Sequence, residues 1–459
     1  MPNLHFVKYS IIIIVMKKIL VIGAGRSSTS LIKYLLDNSS KENWSVTVVD
    51  FNLDLATQKI NNHPFGKSFK LDANNTEERR KFISNSDIVI SMLPARMHYK
   101  VLKDSVELGI HVITPSYVTD EIKSLNDLAN NKGVLVLNEL GLDPGIDHMS
   151  AKKMIDDVEL SGGNVTGFES FTGGLIAPES DDNPWNYKFT WNPRNVVLAG
   201  QGGAAKFIQE GKYKYIPYNK LFRRTNIIEI DGFGKFEGYA NRDSLKYRSI
   251  YGLDNIPTMY RGTLRRVGFC RAWNVFVQLG ATDDSYKVEG SEDMTHRDFI
   301  NSFLRYNPHD SVELKLRHYL RIEQDDYIWD KLLWLGIFDD TKVGLKNATP
   351  AQILQKILQE KWSLSKNDKD MIVMWHKINY TFENQTKELI SHMEYIGKDS
   401  VFTAMSDTVG LPLGIATKMI LGDKIQKRGV ILPTDKEIYS SVLPELELYG
   451  VKFKEKFNF

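Results

Sequence analysis

A glycine-rich turn near the amino terminus has the residue types that bind a phosphate group. Gly23 and Gly25 follow an apolar run, Ile19–Ile22, and precede a segment with a helical pattern, Ser27–Asn38. Glycine allows a tight turn and a close approach of the backbone to a pyrophosphate, whose charge the first helical amides can receive. Ser28 stands where the dinucleotide fingerprint has its third glycine. The turn alone is therefore also compatible with an ordinary strand-to-helix connection.

An acidic side chain ends the next predicted strand. Val46–Asp50 (VTVVD) has the pattern of a buried strand. Its last residue lies near the offset at which a carboxylate binds the hydroxyls of the adenosine ribose. The glycine turn and Asp50 together predict a dinucleotide site.

A second polar cluster lies in Asn138–His148 (NELGLDPGIDH), after the last predicted strand of the same region. Asp143, Asp147 and His148 occupy a loop rich in glycine and proline. Ligands of open parallel sheets bind beyond the carboxyl ends of the strands, so these side chains are candidates for ligand binding or acid–base chemistry. Capping of a helix predicted over Met149–Asp156 is the alternative role for Asp147 and also for Asp143.

Three further candidates follow predicted strands. Ser116 and Tyr117 come after an HVIT strand and have hydroxyls that can bond a ligand carboxylate, although a serine there is often a turn or cap residue. His98 follows a DIVISML strand; a single histidine is more often structural than catalytic.

Arginines suited to carboxylates occur in the second half of the chain. Arg242 lies in YANRDS, and Arg261 and Arg265 lie in YRGTLR. A guanidinium binds a carboxylate through a planar fork, although a lone arginine is usually a surface charge. Three of them beside predicted strands favour an anionic substrate, and Arg194 and Lys188 extend the set.

Short apolar runs alternate with helical segments through the first 140 residues. The predicted strands are Ile19–Ile22, Val46–Asp50, Phe69–Asp72, Asp87–Leu93, His111–Thr114 and Val134–Asn138, with helices over Ser27–Asn38, Thr76–Ser84 and Ala95–Leu108. Six strands with helical crossovers predict an α/β fold with a Rossmann-type, doubly wound parallel sheet.

The pattern then changes and predicts a second α/β domain with a mixed sheet. Its predicted strands lie within Gly162–Leu175, Ile227–Tyr239, Gly262–Leu279, Met371–Phe382 and Leu389–Ile396. Helical patterns between Ser291 and Asp370 predict an inserted helical subdomain. Thr408–Leu421 is predicted to be an apolar helix with Pro412 in its first turns.

The expected boundaries follow from these patterns. Residues 16–140 and about 405–459 are assigned to the nucleotide-binding domain, 141–290 and about 371–404 to the second domain, and 291–370 to the insertion. Residues 1–15 are expected to be a dispensable extension, because Lys17 and Lys18 interrupt their apolar run and no small-residue cleavage site follows.

The composition excludes several classes of protein. A chain of 459 residues is too long for one core, and its net charge of +2 without a basic run argues against a nucleic-acid partner. The apolar run Ile11–Met16 is too short to span a bilayer. Cys270, the only cysteine, excludes an intramolecular disulfide and a cysteine-clustered zinc site and suits the cytoplasm. No other spacing of residues predicts a metal site.

Several motifs together resemble the saccharopine dehydrogenase family, in its glutamate-forming branch. They are GAGRSS, LNELGLDPGIDHM, FTGGLIAPES, NPWNYKFTWNPRNVVLAG, NRDS and RGTLR, in family order over almost the whole chain. The resemblance implies a Rossmann domain, a second α/β domain with a helical insertion, and an enzyme of lysine metabolism. The implied reaction converts saccharopine, water and NAD(P)+ reversibly into L-glutamate, 2-aminoadipate 6-semialdehyde and NAD(P)H. Saccharopine has three carboxylates, which gives the arginines a role.

The resemblance also implies site residues. The cofactor phosphates are expected at Gly23, Ala24, Gly25, Arg26, Ser27 and Ser28, the ribose at Asp50, and the rest of the cofactor at Asp72, Ala73, Leu93, Pro94, Leu142, Asp143 and Pro144. The substrate contacts are expected at Ser116, Tyr117, Asp143, Arg242, Thr263, Leu264 and Arg265. The catalytic base is left open among Asp143, His98 and His148, and an ordered water can share its work.

Two departures from the family pattern affect these expectations. Asp50 places a carboxylate where a ribose 2′-phosphate would lie, so NAD is favoured over NADP, although Arg26 can attract such a phosphate. Thr172 stands where the family often has cysteine, so no thiol role is assigned there.

Two alternative functions are kept open. One is a reductive condensation of the carboxynorspermidine dehydrogenase type, whose product has fewer carboxylates and would need fewer arginines. The other is a nucleotide-binding homologue that has lost turnover. The expected partner is a small molecule, with a homodimer possible.

Overall fold

The computed structural model describes residues 16–458 and separates them into two units. The first unit contains residues up to Gly141 together with Gly410–Leu432, and the second contains Leu142–Val409 and the segment from Pro433 onward. The expected extension, residues 1–15, lies outside the described residues. Within residues 16–458, no helix is both long and apolar enough to cross a membrane.

Sixteen strands are numbered in order along residues 16–458. They are β1 (Lys17–Ile22), β2 (Trp44–Asp50), β3 (Gly66–Lys70), β4 (Ile88–Ser91), β5 (His111–Ile113), β6 (Leu135–Leu137), β7 (Asn164–Ile176), β8 (Ala205–Gln209), β9 (Lys212–Ile216), β10 (Thr225–Ile230), β11 (Gly234–Ala240), β12 (Thr258–Arg266), β13 (Asp370–Phe382), β14 (Gln385–Ile396), β15 (Gly429–Ile431) and β16 (Lys454–Asn458).

The described part of the chain also contains seventeen α-helices, numbered in the same way. They are α1 (Thr29–Glu42), α2 (Leu53–Ile60), α3 (Thr76–Ser84), α4 (His98–Leu108), α5 (Asp120–Lys123), α6 (Asn126–Asn131), α7 (Ile146–Leu160), α8 (Pro193–Val197), α9 (Tyr218–Leu221), α10 (Arg248–Tyr251), α11 (Phe269–Leu279), α12 (His296–Asn301), α13 (Val312–Leu320), α14 (Tyr327–Trp334), α15 (Pro350–Trp362), α16 (Ala404–Leu421) and α17 (Lys436–Leu448).

The first unit is built on a seven-stranded parallel sheet in the order β15-β6-β5-β4-β1-β2-β3. Its central strands are continuous apolar runs because both faces of such a sheet are covered. The order of the first six strands is that of the dinucleotide-binding fold, which confirms the predicted class. The part of α16 in this unit packs on α1 through glycines: a Cβ at Gly410 would lie 2.6 Å from Leu31 N.

The second unit contains a nine-stranded mixed sheet. Seven strands follow the order β10-β11-β12-β7-β13-β14-β16, and β8 pairs with both β12 and β9. Strands β12 and β7 are parallel, whereas β13 pairs antiparallel with β7 and places His376 opposite Ser170. A large aromatic core in this unit includes the fully buried Trp185, Trp273 and Trp362. The mixed sheet predicted for the second domain is thus confirmed.

Helices α12–α15 occur within the segment predicted to be helical. Thr295 with Asp298, and Thr349 with Gln352, form reciprocal capping boxes at the starts of α12 and α15. Each box satisfies amides that have no acceptor within the helix. Pro350 stands at the start of α15, where a missing N–H costs nothing.

Two element predictions were wrong. The segment Gly262–Leu279 was predicted to be strand-like, but β12 ends at Arg266 and α11 begins at Phe269. The change occurs because Gly268 adopts a φ of +88° and Glu237 accepts hydrogen bonds from the amides of Gly268 and Cys270. Pro412 lies inside α16 and not in its first turns, because the helix begins four residues before the predicted start.

The carboxyl-terminal segment also differs from the prediction. Residues 433–459 were assigned to the nucleotide-binding domain, yet β16 pairs with β14 in the larger sheet and α17 packs against α7. Residues from Pro433 onward therefore belong to the second unit, and the return to the first unit begins at Gly410 instead of about 405.

Candidate functional site

The glycine-rich turn of the first unit has the geometry of a phosphate site. Gly23 has a φ of +110°, and a Cβ there would lie 2.7 Å from the carbonyl oxygen of Met92, so no larger residue fits. A Cβ at Gly25 would meet no atom within 4 Å, which leaves open space above this residue. Neither the 3₁₀ turn at Arg26–Ser28 nor α1 has a side-chain cap. The first amides of this uncapped helix are therefore suited to an anion.

Asp50 lies at the end of β2, as predicted, but its oxygens already accept backbone hydrogen bonds. Oδ2 accepts from the amide of Ala24 at 2.7 Å, and Oδ1 accepts from the amide of Asn52 at 2.8 Å. Burial lowers the pKa of Lys59 to about 8, although the charge of Asp50 opposes this shift. Asp50 thus stabilises the glycine turn through a hydrogen bond and interacts electrostatically with Lys59.

The remaining cofactor candidates of the first unit follow β3 and β4. Asp72 is exposed and accepts a hydrogen bond from the Asn74 amide, whereas Ala73 is buried. Leu93 is partly buried and Pro94 is exposed in the turn before α4.

His98 is placed as a structural residue. Its Nδ1 lies 2.9 Å from Ser91 Oγ and 3.2 Å from Thr114 Oγ1, and the side chain is buried. Burial lowers the pKa of His98 to about 4, so the ring is neutral near pH 7. Ser116 and Tyr117 are partly buried after β5, and the Ser116 carbonyl accepts from the Glu139 amide.

The second unit brings Asp143, Asp147 and Arg261 together. Nη2 of Arg261 lies 2.5 Å from Asp147 Oδ2 and 3.4 Å from Asp143 Oδ1. The Asp147 side chain is 1% exposed, whereas that of Asp143 is 17% exposed. Burial alone would raise the pKa of Asp147, but the charges of His148 and Arg261 and the hydrogen bond from the Gly145 amide outweigh it and lower the pKa. Capping was the alternative role for Asp147. The residue lies inside the first turn of α7, where its Oδ1 accepts a hydrogen bond from the amide of the N-cap residue Gly145 while its Oδ2 pairs with Arg261.

An aromatic and histidine network surrounds this ion pair. The Arg261 guanidinium stacks on Tyr247 at 4.4 Å from the ring centroid, and His148 Nδ1 lies 2.6 Å from the Tyr251 hydroxyl. Across the sheet, His376 lies between Ser150 Oγ at 2.8 Å and Ser170 Oγ at 3.0 Å. Sequence reasoning missed Tyr247, Tyr251 and His376, because no local motif marks a side chain that contacts the site from a distant element.

Arg265 lies further along the same face of β12 and is buried. Its guanidinium lies 5.1 Å from the ring centroid of Tyr187 and 5.9 Å from that of Tyr239, and Nη1 donates to the Leu264 carbonyl at 2.8 Å. No carboxylate of residues 16–458 forms an ion pair with it. Arg265 Nε and the buried hydroxyls of Thr172 and Thr190 have no hydrogen-bond partner in the described part of the chain.

The other predicted substrate contacts have varied positions. Thr263 is partly buried on β12 opposite Tyr239 of β11, and Leu264 is fully buried, pointing to the opposite face. Arg242 is exposed, with a φ of +34°, and its carbonyl accepts from the Lys206 amide at 2.7 Å.

Two members of the wider basic set are paired within the protein. Lys188 forms ion pairs with Asp182 and Asp368 at 2.8 Å each, and Arg194 pairs with Asp284. These carboxylates neutralise both cations within the protein, and the extension of the set to Lys188 and Arg194 stays a prediction.

Both units match known protein families. Residues 19–137 match the saccharopine dehydrogenase NADP binding domain, and residues 141–451 match the saccharopine dehydrogenase C-terminal domain. The similarity therefore covers nearly all of the described chain.

Similar proteins match this chain over almost all of its residues but differ in their own length. The chain is 31% identical over 461 residues to saccharopine dehydrogenase [NADP(+), L-glutamate-forming] of Pyricularia oryzae, covering 96% of this chain and 99% of that protein. It is 32% identical to the mitochondrial alpha-aminoadipic semialdehyde synthase of Mus musculus over 95% of this chain but only 47% of that protein. The chain thus spans about half the length of the latter relative.

A solved structure shows the same fold. Apo saccharopine dehydrogenase (L-Glu forming) from Saccharomyces cerevisiae superposes with a TM-score of 0.87 at 30% identity, covering 96% of this chain and all of that chain. A homospermidine synthase from Legionella pneumophila, at 10% identity and a TM-score of 0.57, shares the fold alone. The chain belongs to the saccharopine dehydrogenase family.

Proposed function

We propose that this protein is an NAD(P)-dependent saccharopine dehydrogenase that forms L-glutamate. The reaction is saccharopine + NAD(P)+ + H2O → L-glutamate + 2-aminoadipate 6-semialdehyde + NAD(P)H + H+. Similarity over 99% of the Pyricularia oryzae relative, which carries this activity in its name, supports the reaction. The observation that carries the substrate class is Arg265, a buried guanidinium without a carboxylate partner among residues 16–458.

A buried cation without a counter-charge is costly, and a substrate carboxylate removes that cost. The unpartnered Nε of Arg265 offers a hydrogen-bond donor, and the Thr172 and Thr190 hydroxyls offer further polar groups in the same unit. A tricarboxylate fits this arrangement better than the less anionic product of carboxynorspermidine chemistry. We assign Arg265, Arg242 and Thr263 to substrate carboxylates, with Ser116 and Tyr117 as further contacts.

The turn at Gly23–Ser28 is suited to the cofactor diphosphate, because it combines open space over Gly25 with uncapped helical amides. The expected preference for NAD has no support in the comparisons, since the matched family domain and the fungal relative are both named for NADP. The physical reason lies in Asp50, whose oxygens accept two backbone amides and whose charge is partly offset by Lys59. We therefore propose NADP(H) as the cofactor.

When bound, the nicotinamide accepts the hydride that leaves the amine-bearing carbon of saccharopine. The secondary amine must first lose its proton so that its lone pair can assist this departure, and water then hydrolyses the imine. We assign proton acceptance to Asp143, the catalytic candidate whose side chain is partly accessible. His98 and His148 are buried and bonded to protein hydroxyls, which makes them positioning residues instead.

A spectrophotometric assay tests the proposal. Near-ultraviolet absorbance of the reduced cofactor is followed with saccharopine or carboxynorspermidine, each with NAD+ and NADP+. We expect turnover with saccharopine and NADP+. Turnover only with carboxynorspermidine would identify the alternative reaction, and cofactor binding without turnover of either compound would identify a non-catalytic homologue.

Two further assignments accompany this function. We propose a cytoplasmic location, which agrees with the presence of a single cysteine, Cys270, that is buried and forms no disulfide. We also propose that the protein forms a homodimer. Light scattering of the purified protein measures the molecular mass and so tests the oligomeric state.

A further inference from the structure

A cavity in the second unit is lined by neither Arg261 nor Arg265, although Ser150 in its lining bonds His376. It has a volume of about 340 Å³ and is lined by α7, α17, β14 and the segment leading into β16. This volume is within the range of small-molecule sites in proteins. The cavity is therefore large enough for a compact organic molecule and not only for one or two waters.

The walls of the cavity are mainly apolar. The apolar lining includes Met154 on α7, Leu443 and Pro444 on α17, and Phe453 before β16. The Tyr439 hydroxyl donates to Asp156 Oδ2 at 2.5 Å and so ties α17 to α7. This hydrogen bond links the two helices that line the cavity.

Two serines at the cavity have different hydrogen-bonding states. Ser150 Oγ donates to the Ile146 carbonyl at 2.7 Å and lies 2.8 Å from His376 Nε2. Ser391 is 1% exposed, and its Oγ has no hydrogen-bond partner within residues 16–458. Buried hydroxyls nearly always form a hydrogen bond. The Ser391 hydroxyl is therefore available to bond a polar group of a molecule bound in the cavity.

The charged residues around the cavity carry an excess of negative charge. Lys153 donates to Asp157 at 2.6 Å, and the nearby carboxylates of Glu455 and Glu447 further raise its pKa. With Lys436, the lining contains two ammonium groups and three carboxylates. A ligand with a positive charge complements this set, whereas an anion does not.

We propose that this cavity is a binding site for a small amphiphilic amine whose far end carries a hydroxyl group. The apolar body lies against Met154, Leu443 and Phe453, the hydroxyl bonds Ser391, and the ammonium group faces the carboxylates. This site is independent of the proposed reaction, so a failure of either leaves the other standing.

The test uses three related probes on the full-length protein, with binding measured by calorimetry. Tyramine has both the ammonium and the hydroxyl, phenethylamine lacks the hydroxyl, and 3-(4-hydroxyphenyl)propionate carries the opposite charge. We expect saturable binding of tyramine, weaker binding of phenethylamine, and no binding of the propionate.

Variants locate the binding within the cavity. Ser391→Ala should weaken tyramine binding on the order of tenfold, from the loss of one hydrogen bond, and leave phenethylamine unchanged. Leu443→Trp should abolish binding by filling the cavity, with circular dichroism confirming the fold. Ser440→Ala is the matched control, because its hydroxyl is already bonded to the Lys436 carbonyl. Absence of saturable tyramine binding, equal binding of the propionate, or full affinity in Ser391→Ala would overturn the proposal.

Discussion

Nη2 of Arg261 lies 2.5 Å from Oδ2 of Asp147, and both side chains are more than nine-tenths buried. The same guanidinium nitrogen is 3.4 Å from Asp143, whose carboxylate is more accessible. One arginine therefore makes a close ion pair with a buried carboxylate and a longer contact with a partly exposed one. This difference separates a structural acid from a candidate catalytic acid on the same helix–loop segment.

Substitution of the two carboxylates should have opposite consequences. Asp147→Asn leaves the buried Arg261 charge without its close partner, so we expect a loss of about 3–5 kcal/mol in the free energy of unfolding. Asp143→Asn should change stability little but lower kcat by at least about a hundredfold, as expected for loss of a general base. Denaturant unfolding and steady-state kinetics measure the two effects. Equal loss of stability in both variants would contradict this division of roles.

The first unit was largely predictable from sequence, and the reason is local. Its strands, such as Ile19–Ile22, are continuous apolar runs separated by helical periodicity, and this pattern sets both the element type and the parallel order. The second unit was less predictable. The end of β12 and the start of α11 depend on Gly268 and on Glu237. Glu237 lies 31 positions before Gly268 and accepts a hydrogen bond from the Gly268 amide.

The candidate site was predictable as a set of motifs but not as a set of pairings. The spacing of Asp143, Asp147 and Arg261 along the chain contains no signal that Asp147 pairs with the arginine and Asp143 only approaches it. Asp50 shows the same limit, because its position predicted a ribose contact while its hydrogen bonds to Ala24 and Asn52 appear only in three dimensions.

Arginine-to-lysine substitutions test the substrate assignment. Lysine keeps the charge but not the planar fork, so Arg265→Lys and Arg242→Lys should each raise the KM for saccharopine about tenfold or more, equivalent to roughly 1.5–3 kcal/mol. Cofactor affinity, measured by fluorescence titration, should persist. Arg223→Lys, at an exposed position, is the control. Unchanged kinetics in both test variants would remove the main physical support for a tricarboxylate substrate.

Gly25→Ala tests the phosphate site without a large change in stability. The new Cβ would meet no protein atom within 4 Å, and the φ of −64° is compatible with alanine. The methyl group would instead occupy space over which a diphosphate must pass. We expect a nearly unchanged melting temperature and cofactor binding weakened by about tenfold or more, since close backbone approach is what the glycine provides. Wild-type cofactor affinity in this variant would contradict the assignment of the diphosphate to this turn.

Asp50→Asn separates the charge of this residue from its hydrogen bonds. The amide oxygen can still accept one backbone N–H, while the negative charge near a ribose 2′-phosphate is lost. We expect the ratio of kcat/KM for NADP+ over NAD+ to rise above that of the wild-type protein. Asp127→Asn is the control, at an exposed carboxylate on α6 that is not among the predicted cofactor contacts. A fall in the ratio for Asp50→Asn would show that its charge favours the phosphorylated cofactor.

Two buried histidines should make the protein less stable in mild acid. Burial lowers the pKa values of His98 and His376 from 6.5 to about 4, so the unfolded chain binds protons more readily between these values. Their contribution is therefore fully present above about pH 6.5 and is lost as pH falls toward 4, by roughly 1–3 kcal/mol for each histidine.

Non-titrating variants isolate this contribution from that of other groups. His98→Asn and His376→Gln keep one hydrogen-bonding atom near the original nitrogen and remove the titration. Each should flatten the dependence of the melting temperature on pH between 7 and 4, even where it lowers the melting temperature at pH 7. His309→Gln, at an exposed position, should leave the profile unchanged. A wild-type slope in both buried-site variants would show that these rings do not resist protonation, and hence that water reaches them in the native state.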